Sequence, residues 1–465
     1  MPRTSQPALS TRPSRLAAGL GLAGLFSLLA LAAPAQAQSL QALYDAARDY
    51  DATYRSARSQ AESTVFKAEQ SRALNRPSVS ATGTVLQSVN NTPYTSTTTT
   101  RTGQQSAALT AQQTLFNRSN DRSIDQAERG IAVAQSQLRA AEQDLIVRVA
   151  QAYFDVLTFR DALETIRTSK AANLEQLASA KRNFEVGTAT ITDTREAQAR
   201  YDLVVAQELA AENDLNNAKL ALEVVTGRPG ASPKPLALPV VLPGVAPADP
   251  EQWVLQAEAN SPTLTQLRLG LEVARLETEK ARAGHLPTVA VSGTVTEAHA
   301  RVSGDVRGGS GAIVPFGPLS GSGLSGSVAL TLNMPIYAGY SVQNRVKETL
   351  ALEDKASNDL EAARRTVGQG TRTAFFGVRS LASRVTALEA AESSSKLALE
   401  ATQLGYKVGV RVNLDVLNAQ TQLYQAQRDL AKARYDVVVN QLKLRQAAGV
   451  LQPQDVTAAD ALLAR

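Results

Sequence analysis

Val408-Gly409-Val410-Arg411-Val412-Asn413-Leu414-Asp415 occurs twice in this chain, the second time as Val186-Gly187-Thr188-Ala189-Thr190-Ile191-Thr192-Asp193, with every paired position 222 residues apart. Both copies interrupt long helical patterns, so one structural unit is built twice. The register extends outward. Ala197, Ala211, Leu222 and Gly227 fall on Ala419, Ala433, Leu444 and Gly449, and Ala152-Tyr153-Phe154 falls on Ala374-Phe375-Phe376, all at the same offset of 222. Further upstream, Ser106, Ala108, Leu109 and Thr110 meet Ser327, Ala329, Leu330 and Thr331 at 221, and Gly83-Thr84-Val85 meets Gly293-Thr294-Val295 at 210. The second copy is therefore longer by about 11 residues, which the pattern assigns to one loop.

Within the first copy, Leu40 to Leu74 reads as one polar, alanine-rich helix that stops before Pro77. The period then changes to two. Val79, Ala81, Gly83 and Val85 alternate with Ser78, Ser80, Thr82 and Thr84, a strand with one apolar and one hydroxylated face. Residues 88 to 104 are Asn, Thr, Ser and Gly with little to bury and read as a loop, and a second strand runs from about Gln105 to Phe116. These define a β-hairpin over 77–116.

From Asp121 to about Glu185 apolar residues return in sevens, as Ile131, Leu138, Leu145, Ala152, Phe159 and Ile166 with Val149, Val156 and Leu163 beside them. A sustained heptad predicts supercoiled, coiled-coil-like packing. The chain reverses near Gly187 and a helix returns to Thr226 with Ala197, Val204, Ala211, Ala218 and Val225 in register. Residues 227–250 hold Pro229, Pro233, Pro235, Pro239, Pro243, Pro247 and Pro250, which marks a linker between a first repeat, 38–226, and a second, 251–449. The second repeats the plan: a helix from Glu251 to Ala283, a hairpin over 287–337 with strands Pro287–Val302 and Leu324–Tyr337, and a helical hairpin turning near Gly409. The tail, 450–465, carries no pattern.

Residues 1–37 read as a signal peptide, with Arg3, Arg12 and Arg15, an apolar run from Leu16 to Ala33, and the small-x-small site Ala35-Gln36-Ala37. Removing it lowers the formal charge from +5 to +2, and no basic patch with aromatic platforms suggests nucleic-acid binding. The absence of cysteine excludes disulfides, cysteine zinc sites and a lipid-modified N-terminal cysteine. Beyond the signal no apolar run reaches the ~20 residues of a spanning helix. An exported chain of this kind is periplasmic, or crosses an outer membrane by strands.

The strands favour the second. In the last one Val328, Leu330, Leu332, Met334 and Ile336 alternate with Ala329, Thr331 and Asn333, the pattern of a wall between lipid and water. Only a closed barrel satisfies its backbone in lipid, and four strands do not close. Two copies would supply eight strands and three would supply twelve.

The signal, the doubled plan and the two turn stretches, the second extending over Tyr406-Lys407-Val408-Gly409-Val410-Arg411-Val412-Asn413-Leu414-Asp415-Val416-Leu417-Asn418-Ala419, resemble the TolC family of outer-membrane channels. The resemblance covers essentially the whole mature chain. It implies an α+β membrane protein: a homotrimer with a twelve-stranded barrel in outer-membrane lipid and a long periplasmic α-barrel. It implies partners as well, a periplasmic adaptor and an inner-membrane ABC or proton-driven transporter, in type I secretion or tripartite efflux.

Carried over residue by residue, the resemblance implies a latch at the helical tips in which Tyr406 bonds Asp193, and Arg411 bonds Thr192 or Asp193. It places Asp415 in a ring of carboxylates at the constriction, giving cation preference. A second acidic position of the family is Asn418 here, which predicts weaker cation preference. Val186-Gly187-Thr188 and Val408-Gly409-Val410 would receive the adaptor, although a helix reversal wants a glycine for its own geometry.

No catalytic, cofactor or metal constellation is legible. Gly321-Ser322-Gly323-Leu324-Ser325-Gly326 fits G-x-G-x-x-G but reads as part of a loop that opens no helix. His285 and His299, the two histidines, lack ligand spacing to partners. A periplasmic coiled-coil adaptor is the alternative class, but it would carry one helical hairpin rather than two.

Overall fold

The computed structural model describes residues 38–91, 97–237, 239–240, 244–307 and 310–464. The expected signal peptide lies outside them, as do parts of 227–250 and of both strand-to-strand connections. In chain order the elements are α1 (Leu40–Tyr50), α2 (Ala52–Arg72), β1 (Ser78–Asn91), β2 (Thr97–Phe116), α3 (Arg118–Glu185) and α4 (Ile191–Thr226). The second repeat follows with α5 (Pro250–Asn260), α6 (Pro262–Arg282), β3 (Thr288–Arg307), β4 (Ile313–Asn333), α7 (Ser341–Lys407) and α8 (Asn413–Ala447), and a last helix α9 (Pro453–Asp460) ends the chain.

The long arms match: α3 and α7 have 68 and 67 residues, α4 and α8 have 36 and 35. At 1.5 Å per residue the longer arms extend about 100 Å. Asn117 starts α3 by accepting from the Ser119 and Asn120 N–H groups at 3.0 and 3.3 Å. The heptad residues Leu145, Val149, Ala152, Val156 and Leu163 are buried. α4 packs on α3, α3 on α8 and α8 on α7, which leaves α4 and α7 at the two edges.

Where one helix was expected at the start of each repeat, there are two. Asp51 separates α1 from α2 and Ser261 separates α5 from α6, each with extended ψ and each capping the following helix through its side chain, to Tyr54 N at 2.7 Å and Leu264 N at 3.4 Å. The breaks receive the far end of their own repeats. Gly227, at φ +64°, lies so close to Tyr50 that a Cβ would meet the ring at 2.5 Å, and Gly449, at φ +70°, lies so close to the second break that a Cβ would meet Ser261 N at 2.6 Å. Periodicity is blind to this, because the break is fixed by a residue more than a hundred positions away.

The sheet is antiparallel in the order β1-β2-β3-β4. Directly opposed residues share a face. One row reads Val79, Ala111, Gly293, Val328, and the next reads Ala81, Leu109, Val295, Gly326. Between them, on the other face, run Ser80, Thr110, Thr294 and Ser327, with the Thr110 and Thr294 hydroxyls 3.2 Å apart. The expected two-faced strands are therefore present and in register.

The loops differ from expectation. Residues 88–91 and 97–104 are strand, not loop, and Gly321 to Gly326 lie inside β4. Ladder pairing needs backbone groups, not apolar side chains, so polar and glycine-rich stretches extend a sheet whose register is set lower down. The extra length of the second repeat goes partly into strand: β3 has 20 residues where β1 has 14. β4 ends at Asn333 rather than Tyr337, ahead of Pro335, which has no N–H to give the ladder.

The tail is not featureless. α9 lays Val456 and Ala459 into the main core beside Tyr44, Leu145, Tyr153 and Tyr435. Asp460 accepts from Leu40 N at 2.7 Å, closing the start of α1 with the end of the chain. The Pro-rich stretch is held to the same core: the Tyr153 hydroxyl accepts from Lys234 N at 2.7 Å, and Ala464 N donates to Pro235 O at 2.7 Å.

Candidate functional site at the helical tips

Both helical hairpins reverse by one mechanism. After α3, Val186 N, Gly187 N, Thr188 N and Ala189 N donate to the carbonyls of Arg182, Phe184, Asn183 and Asn183. After α7, Val408 N, Gly409 N, Val410 N and Arg411 N donate to Leu404, Tyr406, Gly405 and Gly405, the same bonds 222 residues on. The turn needs a left-handed residue, which Gly187 and Gly409 supply at φ +78° and +81°. A Cβ at either glycine would meet nothing within 4 Å. Val186, Val408 and Val410 stand exposed around them, so each tip offers an apolar knob on an open backbone.

The returning helices start differently. Asp193 closes a capping box with Thr190, accepting from Thr190 N at 2.9 Å while its own N–H donates to Thr190 Oγ1 at 3.1 Å. Asp415 accepts from Val412 N at 3.4 Å, but valine has no side-chain acceptor to return the bond. That leaves the Asp415 carboxylate freer, and Arg411 Nη1 lies 3.6 Å from it.

Among the described residues of one chain, Tyr406 does not bond Asp193. Its hydroxyl accepts from Asn183 Nδ2 at 3.2 Å, one turn before the reversal of the other hairpin. Arg411 faces Asp415 rather than Thr192 or Asp193, and Thr192 is exposed on the first turn of α4. Asn418 accepts from Arg200 Nη2 at 3.0 Å. Beneath these bonds Leu417 packs with Leu177, Ala180 and Ala197, and Leu399, Val416 and Leu423 form a second small cluster. Asn183 and Arg200 were not legible as site residues, since only the docking of one hairpin on the other brings them to Tyr406 and Asn418.

No described helix is long and apolar enough to cross a membrane. A four-stranded antiparallel sheet with one apolar and one hydroxylated face is carried on helices about 100 Å long. The chain matches the family model for outer membrane efflux proteins over residues 43–228 and 253–450, and it belongs to that family.

Its relatives include the outer membrane protein TolC of Vibrio cholerae, 36% identical over 351 residues covering 76% of this chain and 78% of that one. Outer membrane protein TolC of Escherichia coli K12 is 31% identical over 449 residues, covering 96% and 88%. The Campylobacter jejuni CmeC outer membrane channel shares the fold at a TM-score of 0.74 with 15% identity, over 91% of this chain and 90% of that one. The outer-membrane channel OprN does so at 0.74 with 16% identity, over 89% and 90%. The protein is thus an outer-membrane exit duct whose helices extend into the periplasm.

Proposed function

We propose that three copies close into a passive duct, gated at its helical tips, that hands exported material from an inner-membrane transporter and a periplasmic adaptor to the cell exterior. One observation carries this: the sheet ends in two unpaired edges, β1 and β4, while its rows of Val, Leu and Ala face one way and its Ser and Thr rows the other. In lipid those edges must pair, and head-to-tail addition of copies pairs β4 of one with β1 of the next. The helices support the same closure. α4 exposes Leu203, Leu209, Leu220 and Val224 on one side, and α7 exposes Phe376, Leu397 and Leu404 on the other.

The gate is read from the tips. Asp415 lines the neck, and the bonds of Asn183 to Tyr406 and of Arg200 to Asn418 hold the second hairpin against the first. A few such bonds, worth ~0.5–3 kcal/mol each, keep an end shut without making closure irreversible. The exposed Val186-Gly187-Thr188 and Val408-Gly409-Val410 turns receive the adaptor. The duct does no chemistry on its cargo. Relatives at comparable similarity include the Pseudomonas aeruginosa alkaline protease secretion protein AprF, 31% identical over 355 residues, which favours exported protein as cargo over small molecules.

The test is the native mass and conductance of the mature protein extracted from outer membranes in mild detergent. A three-subunit particle that forms channels in planar bilayers is the expected result. A monomer, or protein recovered only from the soluble periplasm, would remove the duct and leave the adaptor class.

A further inference from the structure

We infer that Arg200 sets the ionic preference of the neck and turns it away from cations. The inference rests on the proposed placing of Asp415 at the neck, and it goes beyond that reading by adding the charges the structure groups there. Each copy brings the Asp415 carboxylate, with the Arg411 guanidinium 3.6 Å from it. Immediately beyond, Asn418 stands where a second carboxylate would strengthen a cation filter, and the guanidinium of Arg200 donates to its amide oxygen at 3.0 Å. Asn418 is exposed and Arg200 half-buried, so the pair sits on the surface of the α4–α8 junction. If Asn418 faces the lumen, Arg200 faces it too.

The Asp415 charge is already matched by Arg411, whereas among the described residues Arg200 is in no ion pair; its partner is a neutral amide. On its other side Arg200 borders a cavity of about 120 Å³ between α3, α4 and α8, lined also by Arg428, Asn173, Thr421 and Gln425 and by no carboxylate. With Asn418 at the neck, a permeating ion meets beside it a guanidinium that no carboxylate pairs among the described residues. Across water, charges a few ångströms apart interact appreciably even at physiological ionic strength, where the screening length is ~8 Å.

The experiment is the reversal potential of the purified full-length mature protein in planar bilayers across a KCl gradient. Wild type is expected to show a potassium-to-chloride permeability ratio near or below one. Arg200→Gln should raise it about two- to five-fold, Asn418→Asp should move it the same way, and Arg200→Lys should leave it at the wild-type value. A wild type that strongly prefers potassium, or a ratio indifferent to Arg200→Gln in particles of native mass, overturns the inference. Asp415→Asn separates the two readings. If it lowers the ratio while Arg200→Gln does nothing, the inference alone fails; if it changes nothing, the neck assignment fails and takes the inference with it.

Discussion

The Asn183 amide donates to the Tyr406 hydroxyl at 3.2 Å, tying the last turn of α3 to the last turn of α7. The bond joins the two helical hairpins within one chain, where the family pattern points to Asp193 instead. Tyr406→Phe and Asn183→Ala should each remove one hydrogen bond of ~0.5–1.5 kcal/mol and raise single-channel open probability by a similar factor. Asp193→Ala should act differently, fraying the start of α4 without lengthening openings. Equal effects of Asp193→Ala and Tyr406→Phe, with none from Asn183→Ala, would return the latch to Asp193.

Glycines at positive φ should separate by what surrounds them. Gly187→Ala and Gly409→Ala carry only the backbone cost of ~1–2 kcal/mol, because a Cβ there meets open space. Gly227→Ala adds a clash with the Tyr50 ring and Gly449→Ala one with the backbone at Asn260 and Ser261. Thermal unfolding in detergent should therefore show the second pair several degrees less stable than the first. The tip variants should keep native mass.

Asp51 predicts an acid limit. It caps α2 through Tyr54 N and forms two bonds to Arg148, at 2.9 and 3.1 Å. The Arg148 hydrogen bonds, ahead of the opposing effect of burial, hold its carboxyl below the usual carboxylate range. A depressed folded pKa gives stability that is fully present above the unfolded pKa of ~4 and lost as pH falls through the folded value. Asp51→Asn keeps a capping oxygen but not the charge, so it should lower the melting temperature at pH 7 and flatten its fall below pH 4. An equally steep acid limb in that variant would place the sensitivity elsewhere.

Tyr153 anchors the connection between the repeats. Its hydroxyl, buried in the main core, accepts from Lys234 N and is 3.1 Å from both the Gln38 and Lys234 carbonyls. Tyr153→Phe leaves a backbone N–H without its partner at a cost of ~1–3 kcal/mol. Limited proteolysis should then cut near Pro233 to Pro235 faster than in wild type, with the long arms intact. Unchanged cleavage would mean that the contacts of Ala464 and Gln38 suffice.

Most of the architecture was legible because it repeats. The self-match at an offset of 222 compares one local pattern with another, and a heptad and a period of two are local signals; such signals survive into structure when a whole face packs. The breaks at Asp51 and Ser261 were missed because a single capping side chain and the approach of Gly227 and Gly449 decide them. Asp51, Ser261 and Pro262 were local hints that periodicity overrode. Polar strand ends were missed for a related reason: a ladder propagates from its apolar part into stretches that carry no pattern of their own.

The doubled plan, the two glycine reversals, the two-faced strands and the family are written in the order of residues along the chain. All of these follow from residues near one another in the chain. That Tyr406 meets Asn183, that Arg200 meets Asn418 and that Asp460 closes the first helix emerges only when the helices dock. Each of those pairs joins elements more than 200 residues apart. A hydrogen bond acts over about 3 Å, so its partner is chosen by how the helices dock, and that docking is set by buried apolar surface that no short motif records.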